Sequence, residues 1–287
     1  MRYLFPLDIV KQYLPRTHRL LCTSEQARIT VHDYFGKRLT MVEEAIHQHG
    51  IFSAKTTVHD LLFDALEHDQ AAIAFLDFID ATVETLQSRV PTQLLPSVRD
   101  LCLKLFTTFS AADSQYKNHF AEIAAANSIL SEATFSLKTI ERLLPNGKRF
   151  DFAFERNGSE VLAEVYNIDF ELEKIESAEK FAEFLRGRLE RKLRDKLIGL
   201  PEPWPSFTMI PVLWGKNKHL RPFADALDTF HDVQVITPFM MIAQYRDAEG
   251  RFVFAFQPVS HFLLQVEKIE NKPIQSPLLG EVRTESK

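Results

Sequence analysis

The sequence predicts an α+β protein: a helical bundle followed by an α/β sandwich around a mixed central sheet. Three observations predict it. Of 9 glycines in 287 residues, only Gly36 and Gly50 precede Gly147, and glycine is poorly tolerated inside helices. Residues 16–90 and 97–144 hold no proline, and their apolar residues recur at spacings of three and four, the period of a helix with one buried face. After Gly147 the period changes to two, beginning with Arg149–Glu155, as in a strand.

In chain order, Thr57-Val58-His59-Asp60 carries the capping signal for a helix over Asp60–Glu67, with Leu61, Leu62, Phe63 and Leu66 turned inward. Gln70–Arg89 is a second helix, whose stripe of Ile73, Phe75, Leu76, Phe78, Ile79 and Val83 is separated by Asp77, Asp80, Glu84 and Gln87. Pro91 and Pro96 punctuate the link to a helix over Ser97–Phe109. A longer helix is predicted from Tyr116 to Leu143, ending before Pro145-Asn146-Gly147. The first half is thus a bundle of four or five helices.

In the second half, Arg149–Glu155 alternates strictly, placing Phe150, Phe152 and Phe154 on one side. Asn157-Gly158 is a hairpin turn. Glu160–Ile168 follows as a strand that is apolar on both faces, the texture of a sheet centre. A charged helix over Lys174–Ile198 ends at Gly199 before Pro201, Pro203 and Pro205. A strand at Phe207–Trp214, a helix at Leu220–Phe230 and a strand at Val233–Thr237 come next. A last hairpin pairs Met241–Arg246 with Phe252–Gln257. Residues 1–115 therefore form a helical bundle, 116–267 an α/β domain, and 268–287 a loose polar tail.

Composition narrows the function classes. With 45% hydrophobic and 25% charged residues, the chain has the balance of a soluble globular protein. No run approaches 18 apolar residues, so no membrane span is expected. The opening Met1–Asp8 lacks the apolar core of a secretory signal. Cys22 and Cys102 are too few for a disulfide framework or zinc knuckle, and a cytoplasmic location is expected. A net charge of −5 argues against coating nucleic acid through bulk charge, yet permits a local basic patch. The ten histidines form no metal-ligand motif, and the phosphate-loop, dinucleotide and nucleophile-elbow motifs are missing from the sequence.

One constellation carries chemistry. Asp151 in the first strand of the hairpin and Glu164 in the second, with twelve residues between them, come alongside each other across a tight turn. Tyr166 shares the face of Glu164. Two convergent carboxylates with a backbone carbonyl suit a hard divalent cation such as Mg²⁺ or Mn²⁺, which polarises phosphates and acidifies bound water. Without a metal, Asp151 would cap the turn or pair with Arg149 or Arg156, and Glu164 would be a strand carboxylate needing a partner.

Gly147-Lys148-Arg149-Phe150-Asp151, the hairpin, and Ala163-Glu164-Val165-Tyr166 with a helix on either side resemble the PD-(D/E)XK nuclease superfamily over about residues 116–240. The resemblance implies a restriction-endonuclease-like fold with Asp151 and Glu164 as Mg²⁺ or Mn²⁺ ligands. It also implies a third carboxylate from the leading helix, Glu132 or else Glu122. The chain departs from the family at two places: Phe150 replaces the family proline, and Tyr166 replaces the family lysine. Tyrosine has a pKa near 10 and offers no positive charge at neutral pH. Lys148, Lys174 and Lys180 are the nearest substitutes by sequence, and Lys148 joins Asp151, Glu164 and Tyr166 as a candidate catalytic residue.

The following helix carries Arg186, Arg188, Arg191, Lys192, Arg194 and Lys196 against Glu190 and Asp195. It is either a track for a phosphate backbone or a solvated face with ordinary i,i+4 pairs. The sequence thus leads to a metal-dependent nuclease-like protein acting on or binding DNA or RNA. The alternative is an inactive nuclease-like fold that binds nucleic acid or protein, with the helical half serving a protein partner or a homodimer.

Overall fold

In a computed structural model, the structure describes residues 6–49, 57–108, 115–168, 177–215, 239–246 and 252–258. Six helices precede residue 115 among them: α1 (Pro6–Tyr13), α2 (Pro15–Leu21), α3 (Glu25–His49), α4 (Val58–Leu66), α5 (Gln70–Arg89) and α6 (Leu95–Thr107). Then come α7 (Tyr116–Ile129), β1 (Phe135–Leu143), β2 (Arg149–Arg156), β3 (Ser159–Ile168), α8 (Ala178–Leu197), β4 (Ser206–Gly215), β5 (Phe239–Arg246) and β6 (Phe252–Pro258). None of the described helices is long and apolar enough to cross a membrane.

Capping chemistry fixes several of these boundaries. Thr57 and Asp60 form a reciprocal capping box at α4, and the Asp69 carboxylate accepts from Ala71 N and Ala72 N at the start of α5. Helix α2 has no side-chain cap of its own. Instead buried Asp80, from the middle of α5, accepts from Arg16 N at 3.1 Å, Thr17 N at 2.7 Å and Thr17 Oγ1 at 2.8 Å. The orphan amides of one helix are thereby satisfied by another. A second buried clasp joins α3 to α4, where the Arg38 guanidinium donates from Nε and an Nη to the two oxygens of Asp60 at 2.9 and 2.7 Å.

The sheet is mixed, in the order β1-β2-β3-β4-β5-β6. Strands β1, β2 and β3 are antiparallel neighbours, β3, β4 and β5 run parallel, and β6 returns antiparallel to β5. A parallel pair needs a long crossover, and α8 supplies it between β3 and β4. The hairpin turn of β2 and β3 has Asn157 and Gly158 both at positive φ, 51° and 81°, which suits a two-residue turn that follows the strand twist.

One apolar core runs from Ile9 through the helices and α7 to Phe152, Phe154, Ala163, Val165 and Val212 of the sheet. Phe75 of α5 lies 6.3 Å from the Trp214 ring and 4.8 Å from that of Phe254. Packing is therefore continuous across residue 115. The opposite face of the sheet has a smaller core of Leu144, Phe150, Ala153, Leu162 and Leu197, which seats α8. The chain is an α+β protein with a helical N-terminal part and a layered mixed sheet.

The structure corrects three expectations, the first being the helix count: among the described residues seven α-helices, not four or five, precede Gly147. The helix predicted over Tyr116–Leu143 ends at Ile129, and Phe135–Leu143 is strand β1. A bulge between Leu137 and Thr139 and a left-handed Glu141 (φ 56°) break its alternation. Leu137 and Ile140 consequently reach the same core at a spacing of three, which imitates a helix in the sequence. Likewise Phe150 does not share a side with Phe152 and Phe154, because it packs in the α8 core while they pack in the α7 core. The expected helix at 220–230, the strand at 233–237, Lys174 and the tail from 268 lie outside the described residues.

Candidate metal and phosphate site

The break in β2 alternation makes the site. Registered pairing of β2 with β3 stops at Phe152↔Ala163. Beyond it the Asp151 side chain reaches across, and its Oδ2 accepts from Val165 N at 2.7 Å, a bond from side chain to strand backbone. Burial pushes the Asp151 carboxyl well above the usual carboxylate range, and the nearby charges of Glu164 and Glu122 add to the shift.

Glu164 is 2% exposed. A lone buried carboxylate on a central strand is unfavourable, and here two lysines one helical turn apart on α8 compensate it. Lys192 Nζ lies 2.8 Å from Oε1 and Lys196 Nζ lies 2.8 Å from Oε2. Lys192 also donates to Val165 O at 3.3 Å, and its ammonium sits 5.0 Å from the centre of the Tyr166 ring. Lys196 also donates to Arg149 O.

Helix α8 is capped at both ends and tied down at its C-terminal one. Ser177 Oγ accepts from Lys180 N at its start. At its end Asn146 Nδ2 donates to Lys196 O and Ile198 O at 2.8 and 2.9 Å, satisfying carbonyls that no helical amide can reach. Gly199 follows at φ 79°, the left-handed residue that commonly closes a helix.

Among the described residues, no group of three or more His, Cys, Asp or Glu side chains is arranged to hold a metal ion. A smaller donor set is nevertheless suited to a hard cation: the carboxylates of Asp151 and Glu164 and the Val165 carbonyl. The Lys192 ammonium lies against this donor set. It is itself a cation resting on Glu164 Oε1 and Val165 O, and it lowers the Asp151 carboxyl against the larger upward shift.

The other predicted residues fall as follows. Tyr166 is half-buried beside Lys192. Glu132 is exposed in the turn after α7. Its neighbour Phe135 pairs with Arg156, five residues along β2 from Asp151, about 17 Å at 3.3 Å per residue. The helical carboxylate whose charge reaches Asp151 is Glu122, 3.5 Å from His119 Nδ1. In turn His119 Nε2 lies 3.0 Å from Thr108 Oγ1. Lys148 is exposed in the β1–β2 turn and Lys180 in the first turn of α8. Arg149 pairs with Glu141 and Arg156 covers the Phe135 ring, so neither is the partner of Asp151.

Of the basic residues on α8, Arg186, Arg188, Arg191 and Arg194 are exposed, whereas Lys192 and Lys196 turn inward. The inward pair was legible in principle. Leu189, Leu193 and Leu197 form the buried row of α8, and Lys192 and Lys196 precede Leu193 and Leu197 by one residue, at the edge of that row. A cleft of about 460 Å³ opens at the outer end of α8, lined by Leu193, Arg194, Leu197 and Trp204; it does not include the Asp151–Glu164 pair. Comparison with protein families, curated proteins and solved structures finds no match for this chain.

Proposed function

We propose that this chain is a metal-dependent phosphodiesterase of the PD-(D/E)XK type, with a restriction-endonuclease-like core, acting on DNA or RNA. One observation carries the reading. Asp151 and Glu164 converge at the strand gap, and two α8 lysines provide there the positive charge that Tyr166 cannot. The element order supports it: a helix, three antiparallel strands, a crossover helix and a parallel strand.

In this reading Asp151, Glu164 and the Val165 carbonyl hold Mg²⁺ or Mn²⁺, with Glu122 the nearby third carboxylate in place of Glu132. The metal would supply the Lewis acid that polarises a phosphate and acidifies water. The chain's own groups do the rest. Lys196 keeps an ammonium beside Glu164, where negative charge builds on a phosphate. Exposed Arg188, Arg191 and Arg194 extend positive charge along α8, matching a phosphate backbone. Tyr166 offers its ring face to the Lys192 ammonium.

The test is cleavage of end-labelled single- and double-stranded DNA and RNA with Mg²⁺ or Mn²⁺. Turnover lost in Glu164→Gln and Asp151→Asn supports the reading. Binding of nucleic acid that survives chelation, with no cleavage of any substrate, would instead favour the inactive binding module, for which the tyrosine at position 166 is the motive.

A further inference from the structure

We propose that Lys192 is a tethered placeholder cation, whose ammonium takes the metal position and must withdraw before a divalent ion can enter. The proposal rests on the reading of Asp151 and Glu164 as the metal site and adds a role for this lysine within it.

Two contacts carry it. Lys192 Nζ lies 2.8 Å from Glu164 Oε1 and 3.3 Å from Val165 O, which are two of the oxygens offered to a cation. Its charge also acts on the third donor, Asp151. Lys196 differs in kind. It takes the other oxygen of Glu164 and the Arg149 carbonyl, so it leaves Val165 O alone. One lysine thus occupies the pocket and the other flanks it.

The chemistry of the site explains why a placeholder is needed. Two carboxylates beside a carbonyl concentrate negative charge in a largely buried place, which the protein must neutralise when no metal is present. A lysine on a four-carbon stem can do so and still withdraw. Lys192 is 30% exposed and its ammonium lies 5.0 Å from the centre of the Tyr166 ring, so part of the side chain already meets solvent. Its withdrawal would leave the ammonium at the mouth of the site, where a phosphate would arrive. The lost lysine of the family motif is then replaced by a residue with two positions.

A ligand whose site is open in only a fraction of molecules binds weaker by that fraction. If Lys192 fills the pocket in all but about a tenth of molecules, removing it tightens metal binding about tenfold, ~1.4 kcal/mol. The experiment is calorimetric titration of the full chain with Mn²⁺ alone. Lys192→Met should bind about tenfold tighter than wild type, Lys192→Gln should behave alike, and Lys196→Met should change affinity less than threefold. Adding Asp151→Asn to Lys192→Met should abolish binding, which locates the ion.

Equal tightening in Lys192→Met and Lys196→Met would overturn the placeholder, since general charge removal would then suffice. So would unchanged or weaker binding in Lys192→Met. Wild-type binding that Asp151→Asn leaves intact would overturn the metal site itself. A second readout uses the folded wild type: ¹³C-dimethylated lysines observed by NMR should show one resonance, absent in Lys192→Met, that moves on adding Mg²⁺. A Lys192 resonance indifferent to Mg²⁺ that binds at Asp151 counts against the proposal.

Discussion

Glu164 offers the sharpest energetic test, because its carboxylate is 2% exposed with a lysine 2.8 Å from each oxygen. Glu164→Gln keeps the shape and removes the charge. Breaking a buried ion pair from one side destabilises by about 3–5 kcal/mol, since the remaining charge is stranded. The stranded ammoniums are 30% and 20% exposed at the side chain and can turn toward water on flexible stems. The loss should therefore fall to about 2–3 kcal/mol. Urea unfolding of the full chain measures it as a lowered midpoint at unchanged slope. Lys192→Met added to Glu164→Gln should return part of the loss, with a coupling energy above ~1 kcal/mol in a double-mutant cycle. A loss under ~0.5 kcal/mol, or a coupling near zero, would refute the view that the two lysines neutralise this carboxylate.

Three further outcomes follow from the same structure. The Asp151 carboxyl is raised by burial and by Glu164 and Glu122, so its contribution to stability is full below the ordinary carboxylate pKa of about 3.9 and is lost as pH rises through the folded value. Asp151→Asn should accordingly unfold at a higher urea midpoint than wild type at neutral pH, and the gain should vanish near pH 3.5; a neutral-pH midpoint below wild type would contradict this. Buried His59, packed edge-on against Phe35 and Phe106, is lowered from 6.5 to about 3. The unfolded chain binds a proton there first, so roughly 5 kcal/mol of stability, at ~1.36 kcal/mol per pK unit, should drain away between pH 6.5 and 3. That slope should flatten in His59→Phe, and identical pH profiles would count against it. Asp80→Ala should lower stability by about 2–3 kcal/mol by orphaning the Arg16 and Thr17 amides, and circular dichroism should show little helix lost beyond α2.

Local chemistry decided what could be read from the chain alone. Helix α5 is observed at its predicted bounds, Gln70–Arg89, because Asp69 caps it and a single apolar stripe runs its length. Thr57 caps α4 as expected, and Asn157-Gly158 turns the hairpin. Strand β1 was hidden because a bulge and a left-handed Glu141 respaced its apolar residues to a helical interval. Strand geometry is enough to bring Asp151 across the hairpin to the backbone beside Glu164, whereas Glu132, expected on the leading helix, lies in the turn after α7 because that helix ends at Ile129. Lys192 and Lys196 are legible as charge, and their place at the edge of the leucine row hints that they turn inward without saying which strand they meet. Their destination depends on how α8 rolls against β3, and that is set by contacts such as Asn146 with Lys196 O, fifty residues apart.

The apolar core that passes from Phe75 to Trp214 and Phe254 should make the helices and the sheet melt together. Excision of residues 1–115 would leave α7 on the sheet but remove α5, baring the sides of Phe120, Trp214 and Phe254 that Phe75 and Phe78 cover. Such fragments should precipitate rather than behave as modules, and the intact chain should unfold in one step. The same arrangement links α5 to the site: the Trp214 indole donates to Asn167, the residue after Tyr166, so a ligand that reshaped the helical surface over Phe75 would be felt one residue from the ring that Lys192 meets.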